Sequence, residues 1–142
     1  MKKGRTKSQR LSVAAIKLQE DPPVYATTLG GKWLLKHTTP SWRIVDREKG
    51  FQRIVKEVRA KQIARAVLDK RRTFPNALTL ATNLKEFRRD GEKIQIPERV
   101  KFLVVDGQHR LWAQKFSEED GIYVCVVHLG LTEQDMARLF LE

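Results

Sequence analysis

The chain has 142 residues, enough for one domain with a hydrophobic core and too short for two comfortable ones. Hydrophobic residues make up 41% of it, which excludes a chain that is disordered throughout. Its 28 Lys and Arg against 17 Asp and Glu give a net charge of +11, so nucleic acid, nucleotides or another polyanion form the natural partner class.

The cysteine and histidine content excludes several kinds of site. The single cysteine, Cys125, lies in the apolar run IYVCVV, so the chain can hold neither an internal disulfide nor a multi-cysteine zinc site. His37, His109 and His128 are scattered along the chain, and we expect no dedicated metal site. No apolar run approaches the roughly 20 residues that span a bilayer, and no apolar stretch follows the basic N-terminus as in a signal peptide. We therefore expect a cytoplasmic protein without a membrane partner.

The first third of the chain gives the weakest structural signals. Residues 1–10 carry five Lys or Arg and are expected to form a flexible basic tail that adds phosphate affinity without sequence recognition. Residues 11–49 are expected to form an N-terminal extension. It would begin with a weak helical pattern from Leu11 to Glu20, followed by strand material from Val24 to Leu35 that bends at Gly30-Gly31 into a hairpin.

The rest of the chain gives clearer signals. A helix is predicted from about Lys56 to Lys70, because apolar residues recur there on one helical face at Ala60, Ile63, Ala64, Val67 and Leu68. The remaining elements are predicted in this order: a strand over 77–82, a turn at Asp90-Gly91, a strand over 101–105, a helix over 109–116, a strand over 121–129 and a helix N-capped by Thr132. This order indicates a single α/β or α+β domain.

The last predicted helix is cut off while its apolar pattern continues. Met136, Leu139 and Phe140 give it an apolar face, and the sequence given ends at Glu142. A short helix gains most of its stability from burying such a face. We therefore expect residues 50–142 to be a domain truncated at its C-terminal end. The face would pack on the sheet or against a second copy of the chain, so a homo-oligomer is a further expectation.

The strongest candidate for a binding site is the stretch KFLVVDGQHRLWAQK, in which a strand leads directly into a helix. Asp106 is expected at the N-cap, and Gly107 would let an anion approach the unpartnered N–H groups of the first turn. Arg110 adds a planar, permanently charged group suited to phosphate oxygens, and Gln108 and His109 can donate to oxygens or to a base edge. The alternative is a structural turn, in which Asp106 only caps the helix, worth about 1 kcal/mol, and Arg110 is a solvated surface residue.

The pentapeptide DGQHR after a hydrophobic strand resembles the signature of the DGQHR-domain family, which includes DndB-like proteins of DNA phosphorothioation systems. Two upstream elements agree with this resemblance. GFQR at 50–53 is similar to the family's G-aromatic-Q-R element, and RTFPNALTLA at 72–81 is similar to its FPN–strand element. More broadly, residues 50–142 resemble the ParB/sulfiredoxin superfamily, which implies a small mixed sheet flanked by helices.

The resemblance implies a nucleotide pocket. In ParB and sulfiredoxin relatives the equivalent turn and helix start hold the phosphates of CTP or ATP, so the implied cofactor is a nucleoside triphosphate, ATP or CTP, with Mg²⁺. Gln52 and Arg53 would face the phosphates from the loop before the first helix. Asn76 is a weaker candidate, since it can equally stabilise the turn after Pro75. Carried over position by position, the turn itself would contribute Asp106, Gly107, Gln108, His109 and Arg110.

One departure from the superfamily excludes an activity. The GCHR turn of sulfiredoxin needs its cysteine for redox chemistry, and the matching residue here is Gln108, so sulfiredoxin activity is excluded. The sequence identifies no catalytic residue.

Two functions remain, both in the setting of DNA modification, defence or a mobile element. The first is slow hydrolysis of a nucleoside triphosphate, with Arg110 and Arg53 stabilising phosphate charge and His109 or Asp106 positioning water or Mg²⁺. The second is a DNA-binding transcriptional or regulatory module without enzymatic activity. In both, DNA is expected to be held by nonspecific phosphate contacts.

Overall fold

A mixed sheet and four helices make up the part of the chain that the computed structural model describes, residues 10–40 and 50–141, with the side chains of 40, 50–56 and 140–141 outside that description. The predicted basic tail therefore lies outside the described residues except for Arg10. The strands are β1 (Arg10–Glu20), β2 (Pro23–Gly30), β3 (Thr38–Pro40), β4 (Leu78–Ala81), β5 (Arg88–Asp90), β6 (Lys93–Pro97), β7 (Phe102–Asp106) and β8 (Ile122–His128). The helices are α1 (Gly31–Lys36), α2 (Gly50–Ile63, continued by a π-helical turn over Ala64–Leu68), α3 (Gln108–Trp112, continued by a 3₁₀ turn over Ala113–Phe116) and α4 (Glu133–Leu141).

The eight strands form one sheet in the order β3-β7-β4-β8-β2-β1-β6-β5. The pairs β3/β7 and β4/β8 are parallel, and the other neighbours are antiparallel. The α+β class predicted from the sequence is confirmed. Strands from residues 10–40 lie both at one edge of this sheet (β3) and within it (β2 and β1), with strands from residues 50–141 as their neighbours. The predicted division of the chain at residue 50 and the predicted truncation of its C-terminal end stay predictions.

The segment Leu11–Glu20 is a strand, and the helix expected there is wrong. Its residues alternate between half-buried and exposed from Leu11 to Leu18, as in a strand with one covered face. The hairpin of this region joins β1 to β2, with Ala15 opposite Thr27, and β1 also pairs along its other edge with β6. Because β1 is hydrogen-bonded on both edges, tertiary pairing outweighs the weak helical spacing of its apolar residues.

The strand expected to continue through Leu35 is also wrong, because the chain turns into helix α1 at Gly31. The Gly31 N–H donates to the carbonyl of Gly121 at 2.7 Å, and the Lys32 N–H donates to Asp120 Oδ1 at 3.0 Å. These bonds satisfy the start of the helix, and Leu34 then lies fully buried in the core. The two glycines therefore mark a strand-to-helix junction and not the turn of a hairpin.

The elements predicted in the second part of the chain are confirmed in type. The helix expected at 56–70 is α2 with its π-helical turn, and Thr132 caps the last helix. The Asp135 N–H donates to Thr132 Oγ1 at 3.1 Å, and the Thr132 N–H donates to Asp135 Oδ2 at 3.2 Å. The turn at Asp90-Gly91 is present and joins β5 to β6, two short strands that the sequence did not indicate.

The helices α1, α2 and α3 pack together on one face of the sheet, and the main core lies beneath them. Helix α4 packs beside β7, so the sheet covers part of its apolar face. Cys125 is buried in β8, as expected for a small core residue, and burial raises the pKa of its thiol to about 12. Within the described ranges no helix is both long and apolar enough to cross a bilayer.

Candidate functional site

The DGQHR turn joins an inner strand of the sheet to a short helix. Strand β7 buries Phe102 and Val104 and ends at the exposed Asp106. Gly107 then takes a left-handed conformation, with φ 99° and ψ 18°, and is the N-cap of α3 without a side-chain capping bond. The expectation that Asp106 caps the helix is therefore wrong, because the chain reverses direction through the glycine backbone one residue later. The Asp106 carboxylate remains exposed beside the turn.

Gly107 is required by the fold itself. A positive φ of this size is unfavourable for any residue with a Cβ. A Cβ here would also overlap the side chain of Leu78 and come within 2.8 Å of Arg110 Nη2. The glycine is thus explained by backbone conformation and by packing, without reference to a ligand.

Arg110 is half-buried and anchored at both its side chain and its backbone. Its Nη2 donates to the carbonyl of Ala77 at 3.3 Å, and its own carbonyl accepts a hydrogen bond from the Tyr123 hydroxyl at 3.0 Å. It is therefore not the solvated residue of the structural alternative. The fork of a guanidinium has five N–H groups, so one bond to a carbonyl leaves the charge and several donors for a further acceptor.

The FPN element of residues 74–76 is joined to the DGQHR turn through Tyr123 and Ala77. Phe74 stacks on Tyr123, with ring centroids 5.2 Å apart, and Ala77, which follows Asn76, accepts the bond from Arg110. Asn76 itself is exposed next to this contact. Two motifs that are distant in sequence therefore form one surface region, which we call the DGQHR–FPN corner (residues 74–77 and 106–110).

Tyr123 contacts this corner through Phe74 and Arg110, and the sequence did not identify it. It is almost fully buried, and burial, together with the nearby Asp120 carboxylate, raises the pKa of its hydroxyl well above the usual value. The hydroxyl therefore stays protonated and donates to Arg110 across the physiological range. Nothing in the run IYVCVV distinguishes this tyrosine, since the contact depends on β8 lying beneath α3.

The other predicted site residues are placed as follows. Gln108 and His109 are half-exposed in the first turn of α3. Gln52 and Arg53 lie in the first turn of α2, and not in a loop before it as expected, because the helix already begins at Gly50. Helix α2 packs against α3, but the side chains of Gln52 and Arg53 lie outside the described residues.

The corner places the donors of Gln108, His109 and Arg110 next to the exposed Asp106 carboxylate. The α-helical part of α3 has only five residues, so its dipole contributes little to anion binding. Among the described residues, no group of three or more His, Cys, Asp or Glu is arranged to hold a metal ion. An Mg²⁺ ion at Asp106 would therefore need oxygens from a bound phosphate as its main ligands.

A larger concave region lies away from this corner, between α4 and the sheet. It is a half-open groove of about 920 Å³, and its lining includes Leu103, Met136 and two lysines, Lys85 and Lys101. None of the residues predicted for the nucleotide site lines it. Most of the groove surface is apolar, which fits a phosphate site less well than the polar DGQHR–FPN corner does.

Comparison with known proteins agrees with the motifs. A family model described as DndB, DNA-sulfur modification-associated, matches residues 13–119 of the 142. No curated protein and no solved structure matches the chain. The matched span begins in β1 and ends after α3, so it contains the GFQR and FPN elements and the whole DGQHR turn. The chain belongs to the DndB family of DNA-sulfur modification-associated proteins.

Proposed function

We propose that this chain is a DNA-associated protein of a DNA-sulfur modification system and binds a nucleoside triphosphate at the DGQHR–FPN corner. The observation that carries the nucleotide part is the contact between Arg110 and the carbonyl of Ala77. It brings two family motifs into one surface region, where half-exposed donors stand beside an exposed carboxylate.

The chemistry of the corner fits a phosphate group. Arg110 would donate its remaining N–H groups to phosphate oxygens, with Gln108 and His109 as further donors beside it. Asp106 would complete the coordination of an Mg²⁺ ion carried by the triphosphate. Asn76, which is exposed and precedes Ala77, would be a further contact to the ligand. ATP and CTP are the nucleotides that the superfamily resemblance implies.

Slow hydrolysis of the nucleotide is the enzymatic form of this proposal. Arg110 and Arg53 would stabilise charge on the phosphates, and His109 or Asp106 would orient the attacking water. The supporting feature is again the half-exposed position of His109 and Arg110 next to the Asp106 carboxylate.

A regulatory DNA-binding module without turnover is the second candidate. It is favoured because both motif residues have a structural role. Gly107 forms the left-handed turn, and Arg110 donates to the Ala77 carbonyl. In this form the corner holds the fold together or senses nucleotide, and the strongly basic surface supplies the function.

Calorimetric titration of the protein with ATP, CTP, GTP and UTP in the presence of Mg²⁺ tests the proposal. We expect ATP or CTP to bind, and His109→Ala and Arg110→Ala to weaken binding. Removing a hydrogen bond to a charged group costs about 1.5–3 kcal/mol, which predicts roughly 10- to 150-fold weaker affinity for Arg110→Ala.

Lys115→Ala is the matched control, because it removes an exposed cation from the 3₁₀ turn that follows α3. It should leave the affinity unchanged. Thermal melting of each variant separates loss of binding from loss of fold, which matters for Arg110 because of its bond to Ala77. Absence of heat with all four nucleotides, or equal affinity of Arg110→Ala and the wild type, would contradict the nucleotide site.

A further inference from the structure

The positive charge of the described residues is concentrated on one helix and its C-terminal end. Residues 57–72 carry six Lys or Arg against two acids, a net charge of +4. The β5–β6 region, residues 85–93, has four Lys or Arg against three acids, a net charge of only +1. A polyanion would therefore be drawn to α2 in preference to this second exposed basic segment.

Helix α2 and its π-helical turn have a buried side and an exposed side. Ala60, Ala64 and Leu68 face the core and are 0–2% exposed. The opposite side, which we call the basic helix face, consists of exposed residues with unusual chemistry for a merely solvated surface: Val58 (53% exposed), Arg59, Gln62, Arg65 and Ala66. The apolar side chains of Val58 and Ala66 lie there between the polar side chains of two arginines and one glutamine.

Most of the other charges on this segment are already paired. Lys61 Nζ lies 3.3 Å from Glu57 Oε2, and Arg71 Nε lies 3.3 Å from Glu119 Oε1. Asp69 accepts a hydrogen bond from the Ser117 hydroxyl at 2.5 Å. The acids near the helix are thus engaged with residues other than the arginines of the basic helix face.

The remaining cations have no such compensation. Within residues 57–141, Arg59 and Arg65 form no ion pair or hydrogen bond through their side chains, and the same holds for Lys70 and Arg72 just beyond the helix. Two arginines on the helix face are therefore followed in the sequence by two further uncompensated cations. Exposed cations of this kind are available to neutralise the negative charges of a phosphate backbone.

We propose that the basic helix face is the surface on which duplex DNA docks. This inference rests on the DNA association of the proposed function and assigns it a place on the molecule. Arg59, Gln62 and Arg65 contact base edges and phosphates in the major groove, which is wide enough for an α-helix, while Lys70 and Arg72 contact the phosphate backbone.

The chemistry of the face favours insertion into the groove over phosphate contact alone. Arginine pairs with guanine and glutamine with adenine, and small apolar groups contact the thymine methyl, so Val58 and Ala66 have a partner in the groove that phosphates would not provide. The nineteen residues of Gly50–Leu68 span about 28 Å, a length sufficient to cross the groove.

Three double variants, each removing two positive charges, test the inference by fluorescence anisotropy with a short labelled duplex of mixed sequence. They are Arg59→Gln with Arg65→Gln, Lys70→Gln with Arg72→Gln, and the control Arg88→Gln with Lys93→Gln on the exposed β5–β6 hairpin. Glutamine preserves helix propensity, and all six positions are exposed, so melting temperatures should not change.

We expect the Arg59/Arg65 variant to bind at least about tenfold more weakly than the wild type. The Lys70/Arg72 variant should show a shallower dependence of log affinity on log salt, by about 0.9 for each DNA phosphate that the variant no longer neutralises. The Arg88/Lys93 control should remain close to the wild type.

Equal weakening of all three variants would show that only the net charge of the protein determines DNA affinity, which would overturn the inference. Wild-type affinity of the Arg59/Arg65 variant would overturn it as well. If the wild type itself does not bind DNA, the DNA association of the proposed function fails, and this inference with it.

Discussion

Arginine is used in two different ways in the two regions that carry the proposals. At the DGQHR–FPN corner, Arg110 is half-buried, donates to Ala77 and accepts from Tyr123. On the basic helix face, Arg59 and Arg65 are exposed and form no ion pair with another residue of the described ranges. Arg110 thus helps to hold its region together, whereas Arg59 and Arg65 are exposed on theirs without an ion pair to the described residues.

This difference decides what a substitution can report. Removing Arg110 leaves the Ala77 carbonyl without its donor, so a loss of binding has to be separated from a loss of stability. Removing an exposed arginine from the helix face changes stability by no more than about 0.5 kcal/mol, so a loss of binding there reports on the surface directly. The two regions are best compared by pairing a substitution in the corner with an equivalent substitution at an exposed position.

Gly107→Ala is expected to have the largest effect on stability, because it combines a strained backbone with a steric overlap. The residue has φ 99°, and an added Cβ would overlap Leu78. Strain and overpacking each cost about 1–3 kcal/mol, so we expect the free energy of unfolding to fall by roughly 2–6 kcal/mol. Urea denaturation measures this loss.

Gly91→Ala is the matched control for Gly107→Ala. Gly91 also has a positive φ, 66°, but an added Cβ would meet nothing within 4 Å. Only backbone strain applies there, and a loss of about 1 kcal/mol is expected. If the two substitutions lower the free energy of unfolding equally, packing around Gly107 contributes nothing to stability. The corner would then not be more tightly packed than an exposed turn.

Tyr123→Phe is expected to have the next largest effect, because it removes the hydroxyl that donates to the Arg110 carbonyl. A net hydrogen bond contributes about 0.5–1.5 kcal/mol, so we expect a loss of about 1 kcal/mol at neutral pH, measured by urea denaturation. The phenylalanine ring can keep its stacking on Phe74. A neutral or stabilising result would show that the bond does not hold the start of α3 in place.

The same substitution changes how stability depends on pH. Burial raises the pKa of Tyr123 above its usual value, so its contribution is fully present below about pH 10 and is lost as the pH rises further. Burial likewise raises the pKa of the Cys125 thiol to about 12, and its contribution declines from about pH 8.5 upward. Tyr123→Phe should therefore make the decline above about pH 10 less steep and leave the earlier decline in place.

The sequence predicted those elements whose apolar pattern allows one interpretation. The spacing of Ala60, Ile63, Ala64, Val67 and Leu68 fits a helix and not a strand, and KFLVV is a short apolar run typical of a buried strand. Leu11–Glu20 allows two interpretations, since Leu11, Ala14, Ala15 and Leu18 also have helical spacing. The pairing of β1 with β2 and β6 decides between them, and pairing partners that lie about 80 residues away cannot be identified from local pattern.

The same limit applies to the candidate site. The strand, turn and helix around DGQHR follow from local sequence, and the structure has them at that position. The role of Asp106 as an N-cap was wrong because the left-handed glycine takes that position. The contacts of Arg110 with Ala77 and Tyr123 depend on how β4 and β8 lie beneath the turn, which is a property of the sheet order. Sequence therefore indicated the motif but not the residues that anchor it.

Arg71→Gly is expected to have the smallest effect on stability, and it tests the C-terminal end of the helix that carries the basic helix face. Arg71 has φ 57°, a left-handed conformation that favours glycine, at the point where the helical segment ends. Its N–H donates to the Leu68 carbonyl at 2.9 Å and the Arg72 N–H donates to the Val67 carbonyl at 2.8 Å, which is the hydrogen-bond pattern of a glycine C-cap. Glycine should relieve the strain, and the exposed ion pair to Glu119 that it removes contributes little. We therefore expect stabilisation of up to about 1 kcal/mol in urea denaturation, with modestly weaker DNA binding because one cation is removed.

Arg71→Lys, which keeps both the charge and the strain, should change neither quantity. Destabilisation by glycine would show that the Arg71 side chain holds the end of the helix, as Arg110 holds the corner.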